Sequence, residues 1–217
     1  AVIATFKYFG FFADSARDML STIGLDPGWT ALNILLPVGI SFYVFQAISY
    51  IIDVARGDLA PEQRLRRVAL YIAFFPQLVA GPIVRAASFF PQMERVKSLS
   101  SALVFAGLRA FALGFAYKAG IADNLAQFVD PVFGDAQVAG DTDLAAWSNL
   151  ALVGATLAFG ALIYFDFAGY SLMAIGVARW FGVYIPKNFD HPYASPAIDD
   201  FWRRWHISLS SWLRDYL

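Results

Sequence analysis

No cysteine occurs in the 217 residues, so they contain no disulfide framework, no thiolate metal ligand and no thiol nucleophile to carry an acyl intermediate. Charge is scarce too. Only 15% of residues are charged, the formal net charge is −1 and no lysine- or arginine-rich run occurs, so the electrostatic footprint of a nucleic-acid binder is missing. GxGxxG, the phosphate loop, HExxH and GxSxG are all absent, which leaves no bound cofactor and no metal to expect. Histidine is limited to His191 and His206. What abounds is apolar: 59% hydrophobic and 17% aromatic residues with a mean hydropathy of +0.54, the composition of an all-α polytopic membrane protein. The chain opens on AVIATFKYFGFF and stops inside a helical pattern without a stop signal. It therefore reads as an internal piece of one membrane domain spanning residues 1–217, truncated at both ends, with no separate soluble domain.

A bilayer-crossing helix needs about 20 apolar residues. Ala1–Phe12 is too short and reads as the end of a span, followed by a loop over Asp14–Gly28. Leu32–Ile52 is long enough, kinked at Pro37 and Gly39 and ended by Asp53. The arginines at 56, 64, 66 and 67 place the next segment on the cytoplasmic side. Val68–Val84 is broken by Pro76, Gly81 and Pro82 and has basic flanks at both ends, which predicts a re-entrant segment whose irregular backbone is buried in protein. Leu103–Ala122 crosses outward, with Arg109 expected to face the bundle or a wet cavity. Asp123–Asp143, with five aspartates and no lysine or arginine, is expected as an outer loop. Trp147–Phe181 is 35 residues, too long for one straight span, and a break is expected at Asp166–Gly169, where an acid, a glycine and the tyrosines 164 and 170 interrupt the apolar run. The polar, proline-punctuated stretch after Gly182 then reads as a cytoplasmic loop marked by Arg179, Lys187 and Arg203.

The last stretch, Phe201–Leu217, has helical amphipathicity: Trp202, Trp205, Leu209, Trp212, Leu213 and Tyr216 share one arc, with serines, arginines and Asp215 opposite. This predicts an interfacial helix with His206 at the margin of the apolar face. Ser195 is expected as its cap, with Pro196 in the first turn and Asp199 and Asp200 four residues before Arg203 and Arg204. An imidazole with pKa near 6.5 against an apolar surface can stay neutral and accept a proton, which makes His206 the candidate for acid–base work and leaves His191 a loop residue.

LPVGISFYVFQAISYIIDVARG from Leu36, FFPQLVAGPIVR from Phe74, YFDFAGYSLMAIGVARWFG from Tyr164, NFDHPY and FWRRWHISLSSWLRDYL stand in an order that resembles the membrane-bound O-acyltransferase family, in particular its bacterial alginate O-acetyltransferase branch. The D-alanyl transfer proteins of cell-wall polymer modification are the nearer alternative. A transporter, or a non-catalytic scaffold of a polysaccharide secretion complex, is the alternative of another class, because midplane charges such as Asp166 and Arg109 could equally line a permeation path. The resemblance implies a multi-pass protein of the bacterial inner membrane. It would transfer an acyl group, acetyl in the favoured branch, from a cytoplasmic thioester donor (acetyl-CoA or an acyl carrier) through a tunnel to hydroxyls of an extracytoplasmic polysaccharide or to an acetyl-transferring partner protein. Membrane lipid is the third partner implied. Position 206 corresponds to the family's His, Asn or Asp in the RWH-type motif. Arg203, Arg204 and Trp205 from that motif, Asp166 and Tyr170, Arg85 of GPIVR and Asn188 of NFDHPY become candidates for the tunnel or for donor binding, the arginine pair for an anionic carrier phosphate at the cytoplasmic mouth. A second histidine, in a WHG-like motif further on, is implied as the general base toward the acceptor. No WHG occurs in these residues.

Overall fold

A computed structural model describes residues 2–25, 39–78, 81–94, 100–134 and 144–217. Among these residues every regular element is helical. In chain order the α-helices are α1 (Val2–Thr22), α2 (Ile40–Arg56), α3 (Leu65–Ile72), α4 (Ala86–Glu94), α5 (Ser101–Phe115), α6 (Asp123–Phe133), α7 (Asn149–Trp180), α8 (Ile198–Arg204) and α9 (Ile207–Tyr216). A π-helical stretch, Ala116–Ala122, joins α5 to α6 without interruption. The combined run Ser101–Phe133 and α7 are each long and apolar enough to cross a membrane.

These two long helices form an antiparallel pair held by small residues. A Cβ on Gly107 would come within 2.8 Å of the Gly176 carbonyl, and one on Gly114 within 2.5 Å of the Gly169 carbonyl. The index rises by seven on one helix as it falls by seven on the other, so the glycines meet on one seam two turns apart. Close backbone approach through glycine is how helices associate where lipid removes the hydrophobic drive. Ser100 and Ser148 cap the two helices, accepting from the backbone N–H groups of Leu103 and Ala151. At the far end of the seam, the π turn carries Lys118 against α7, where its Nζ lies 2.7 Å from Asp166 and 2.6 Å from Asp123. Asn124 donates to the carbonyls of Ala119 and Gly120, two groups of that wide turn.

Several expectations are corrected here. Helix α7 runs unbroken through Asp166–Gly169: Lys118 neutralises the carboxylate, and Gly169 serves the helix seam instead of a bend. The α1 helix continues through Asp14 to Thr22, and the acidic stretch after Ala122 is helical as far as Phe133, with Pro131 tolerated inside it. Helix α2 passes Asp53 and ends at Arg56, where Gly57 takes the left-handed conformation its capping requires. Arg109 is exposed, and the cation that reaches α7 is Lys118. Leu32–Val38, with Pro37, lies outside the described residues, as do residues 135–143 of the expected outer loop.

Residues 65–78 and 81–85 comprise a short helix, a 3-10 turn at Phe75–Gln77 and a non-helical stretch, with a buried interior. Tyr71, Phe74, Val84, Phe89 and Phe90 pack with Ala174, Ile175 and Ala178 of α7 and with Val183 and Ile185. Burying each large side chain here contributes roughly 1.5–3 kcal/mol. The irregular backbone is satisfied from within: Tyr71 Oη donates to the Val84 carbonyl, Gln77 Nε2 to the Tyr71 carbonyl, and the Ile83 N–H to Ser208 Oγ.

Candidate active site

After Trp180 the chain does not leave the helix end. It turns at Gly182 and runs back along α7: Asn188 Nδ2 donates to Ser171 Oγ (2.9 Å), Phe189 packs on Phe167 and Tyr164, and Tyr193 Oη donates to the Gly160 carbonyl (2.6 Å). From Trp180 to Gly160 is about 30 Å along the axis at the α-helical rise. The stretch read as a loop beyond the helix is thus folded against its flank, and α8 is held there by the aromatic stack of Tyr193, Phe201 and Trp205.

The expected continuous helix over Phe201–Leu217 is two helices with His206 at the break, where φ is 44° and ψ 53°. No proline or glycine causes this; competition for backbone hydrogen bonds does. In an unbroken helix the Ile207 N–H would reach back to Arg203 and the Arg204 carbonyl would accept from Ser208. Instead Ile207 N–H donates to the Asn188 carbonyl (2.8 Å), and the Arg204 carbonyl accepts from the Asp190 N–H (3.0 Å). Asn188 completes the junction with its side chain: its Oδ1 accepts from Ser208 Oγ at 2.6 Å, while Ser208 in turn receives the Ile83 N–H. Asn188 is 1% exposed and its amide is spent on this junction, which welds the 183–191 stretch, α7, α9 and residue 83 into one unit. The predicted cap Ser195 is also corrected, since α8 starts after an extended Ala197 and Ser195 Oγ has no partner among the described residues.

At the break His206 is turned inward. Its ring meets Phe167 edge-on at 4.6 Å, and its Nε2 is buried without a hydrogen-bond partner among the described residues. Burial pushes the imidazole down from its ordinary 6.5 to about 4, so at neutral pH the ring is uncharged, with one nitrogen a donor and the other an acceptor. Such a ring is a weak proton acceptor and a good positioning group. The chain's other histidine, His191, is held in the same left-handed region, with φ 49°. It lies at the edge of a cavity of about 200 Å³ between α5, α7 and the returning 183–191 segment, whose wall includes Tyr117, Tyr164, Ser171, Asn188 and Phe189. His206 does not line that cavity; Phe167 and Phe189 connect the two.

The other candidates separate. Arg204 pairs with Asp200 (2.9 Å) and Arg203 with Asp199 (3.5 Å), on α8 beside the middle of α7. Trp205 belongs to the aromatic stack, while Tyr170 is 37% exposed and outside the cavity lining. Asp166 is held by Lys118, about one turn of α7 before Gly169 of the glycine seam. Arg85 joins α9 instead, pairing with Asp215 (2.8 Å) and covering the Tyr216 ring at 4.6 Å. Next to it, Ser88, Ser208 and Ser211 line a groove of about 430 Å³. Sequence reading missed Lys118, Ser171 and Ser208. A lysine inside an apolar run was the signal for the first; the two serines carried none.

A model of the membrane-bound O-acyltransferase family matches residues 64–217. The chain is 45% identical over its whole length to a probable alginate O-acetylase of Azotobacter vinelandii and 44% identical to one of Pseudomonas aeruginosa, covering 41% and 39% of those proteins. It is also 33% identical, over 85% of its length, to a teichoic acid D-alanyltransferase of Bacillus subtilis, covering 45% of that protein. The chain therefore spans about two-fifths of the length of the curated relatives it matches.

Proposed function

The chain belongs to the membrane-bound O-acyltransferase family, and from that membership we propose that the protein moves an acetyl group from a thioester donor on the cytoplasmic side to hydroxyls of an extracytoplasmic polysaccharide. The higher identity to alginate O-acetylases than to a D-alanyltransferase supports acetyl over D-alanyl and alginate-like glycan as the acceptor. In this reading the protein is a multi-pass protein of the bacterial inner membrane, α5 to α6 leads outward, α7 returns, and residues 68–84 and 183–206 are re-entrant. The donor is acetyl-CoA or an acetylated carrier, used as substrate; a partner protein could receive the acetyl group on its way to the glycan.

The observation that carries the proposal is the buried, unpartnered Nε2 of His206, held at a break that the Asn188 junction enforces. In acetyl transfer the acceptor hydroxyl attacks the thioester carbonyl, its proton passes to a base, and the thiolate departs. The neutral imidazole, with Nε2 free, would hydrogen-bond the acceptor or the acyl oxygen and orient it, while the apolar surroundings keep water from the thioester. The proton itself goes to another group, the role that the resemblance gives to a histidine outside these residues.

The test is transfer of labelled acetyl from donor to glycan by membranes carrying full-length variants at normal protein level. His206→Ala should lose about 10²-fold or more of the rate. His206→Asn keeps a hydrogen-bonding amide in a backbone conformation asparagine accepts and should retain most of it. Full activity in both variants would remove His206 from the site, and loss in both would assign it proton transfer.

A further inference from the structure

Gln46, on α2, is 0% exposed, yet neither its Oε1 nor its Nε2 has a hydrogen-bond partner among the described residues. Setting aside carboxylates already in ion pairs, the buried side-chain atoms left unpartnered among the described residues belong to Gln46, Gln77, Ser195 and His206. Three of these four lie on elements that converge. Helix α2 meets α9 where Trp212 Nε1 donates to the Phe45 carbonyl (3.1 Å), and its first turn meets the residues after Gln77, where a Cβ on Gly39 would run into the Leu78 carbonyl. The Gln77 backbone abuts Gly81, two residues before the Ile83–Ser208 bond. One turn beyond Gln46, Ser49 is equally buried and donates to the Gln46 carbonyl, so it leaves the side-chain amide unanswered. An amide stripped of water with neither of its polar atoms paired destabilises the fold, and such a group in a close-packed interior marks a place where a polar partner is expected.

Position suggests the partner. Phe45 touches Trp212 with ring centroids 4.6 Å apart, and Trp212 stands six residues after His206, about 9 Å along α9. On the same side, further along, Tyr216 Oη bonds Asp53 and Arg56 reaches the Asp215 carbonyl. Gln46 therefore sits between His206 and the basic end of α2. A thioester carried on a pantetheine arm entering from that end presents, two methylenes behind its sulfur, a secondary amide, and beyond it another. A primary amide answers a secondary amide with both a donor and an acceptor. Resting on the donor chemistry proposed above, we infer that Gln46 is a donor-binding residue whose side-chain amide pairs with an amide of the pantetheine arm and so sets the depth at which the thioester stops beside His206.

The experiment uses the full-length protein in lipid nanodiscs, the stable thioether S-ethylpantetheine as probe, and two thioester substrates, S-acetylpantetheine and the amide-free ethyl thioacetate. In Gln46→Met, which keeps length and loses the amide, the unliganded protein should melt at a higher temperature, because an unpaired buried amide is gone. The rise in Tm that S-ethylpantetheine gives the wild type should disappear. KM for S-acetylpantetheine should increase about tenfold with kcat little changed, as loss of uniform binding requires, while turnover of ethyl thioacetate stays as it was. A Gln46→Met protein that melts lower, fails to fold, or keeps the wild-type KM and ligand shift overturns the inference, and would mark the amide as a packed group or one bonded to internal water. Should the wild type transfer acetyl from neither thioester yet show the Gln46-dependent Tm shift, the proposed reaction falls and the arm-binding site stands.

Discussion

His206 is subject to two demands at once, one on its ring and one on its backbone. A φ of 44° is unfavourable for most side chains, and the non-glycine residues enriched there are asparagine, aspartate and histidine. These are the residues that the resemblance allows at this position, so the backbone alone narrows the choice and the ring chemistry selects within it. A β-branched replacement such as His206→Val should therefore fail to accumulate, a loss that immunoblotting would separate from a catalytic defect. The ring's depressed pKa gives a pH signature. Between about 4 and 6.5 the unfolded chain binds a proton that the folded state refuses, so stability is fully present above 6.5 and falls as pH drops through that window. Thermal melts at pH 7 and 4.5 should differ by more in the wild type than in His206→Asn; equal differences would mean that burial does not hold the ring neutral. The motif made the histidine visible in sequence. Its environment was not visible, because the bonds that turn it inward come from Asn188 and Asp190, fifteen or more residues earlier.

Among the elements, the α5–α7 pair depends on four glycines and one ion pair. Gly114→Ala would place a methyl within 2.5 Å of a carbonyl and 2.7 Å of an N–H on α7, and this overpacking should cost about 1–3 kcal/mol, read as a lower Tm in detergent. Gly154→Ala, whose new methyl meets only Phe128 at 3.8 Å or more, is the matched control and should melt near wild type. Lys118 bridges Asp166 and Asp123, so Lys118→Leu strands two carboxylates and should reduce the level of folded protein most; Asp166→Leu leaves Lys118 paired with Asp123 and should cost less, and the double variant should lose less than the two single losses summed. Additive losses would show that the pair does not act as a unit. Periodicity revealed the apolar length of α7 and then misread its middle, because an acid, a glycine and two tyrosines look like a break until the partner helix supplies Lys118 and a facing glycine. The end of the chain erred the other way: amphipathicity ran smoothly through Trp205 and Ile207, and only tertiary hydrogen bonds cut it.

For the molecule as a whole, composition was enough to identify a membrane protein, and the basic and acidic segments gave an orientation that labelling can check. Since the 217 residues hold no cysteine, single cysteines report cleanly: one at Asp130, on α6, should react with an impermeant thiol reagent applied from outside, and one at Gln63, before α3, should not. The reverse pattern would invert the orientation. What composition could not convey is how far apart in the chain the bonded groups stand. Helix α9 closes the structure by reaching back to Phe45, Asp53, Ile83 and Arg85, and the Ile83–Ser208 bond alone spans 125 residues. At synthesis rates of about 5–20 residues per second, the Ile83 N–H waits on the order of 6–25 s for Ser208, and Asp53 on the order of 8–33 s for Tyr216. During that interval the nascent protein exposes an unpaired Asp53 and a bare backbone N–H at Ile83, so its survival depends on whatever in the membrane shields unfinished chains.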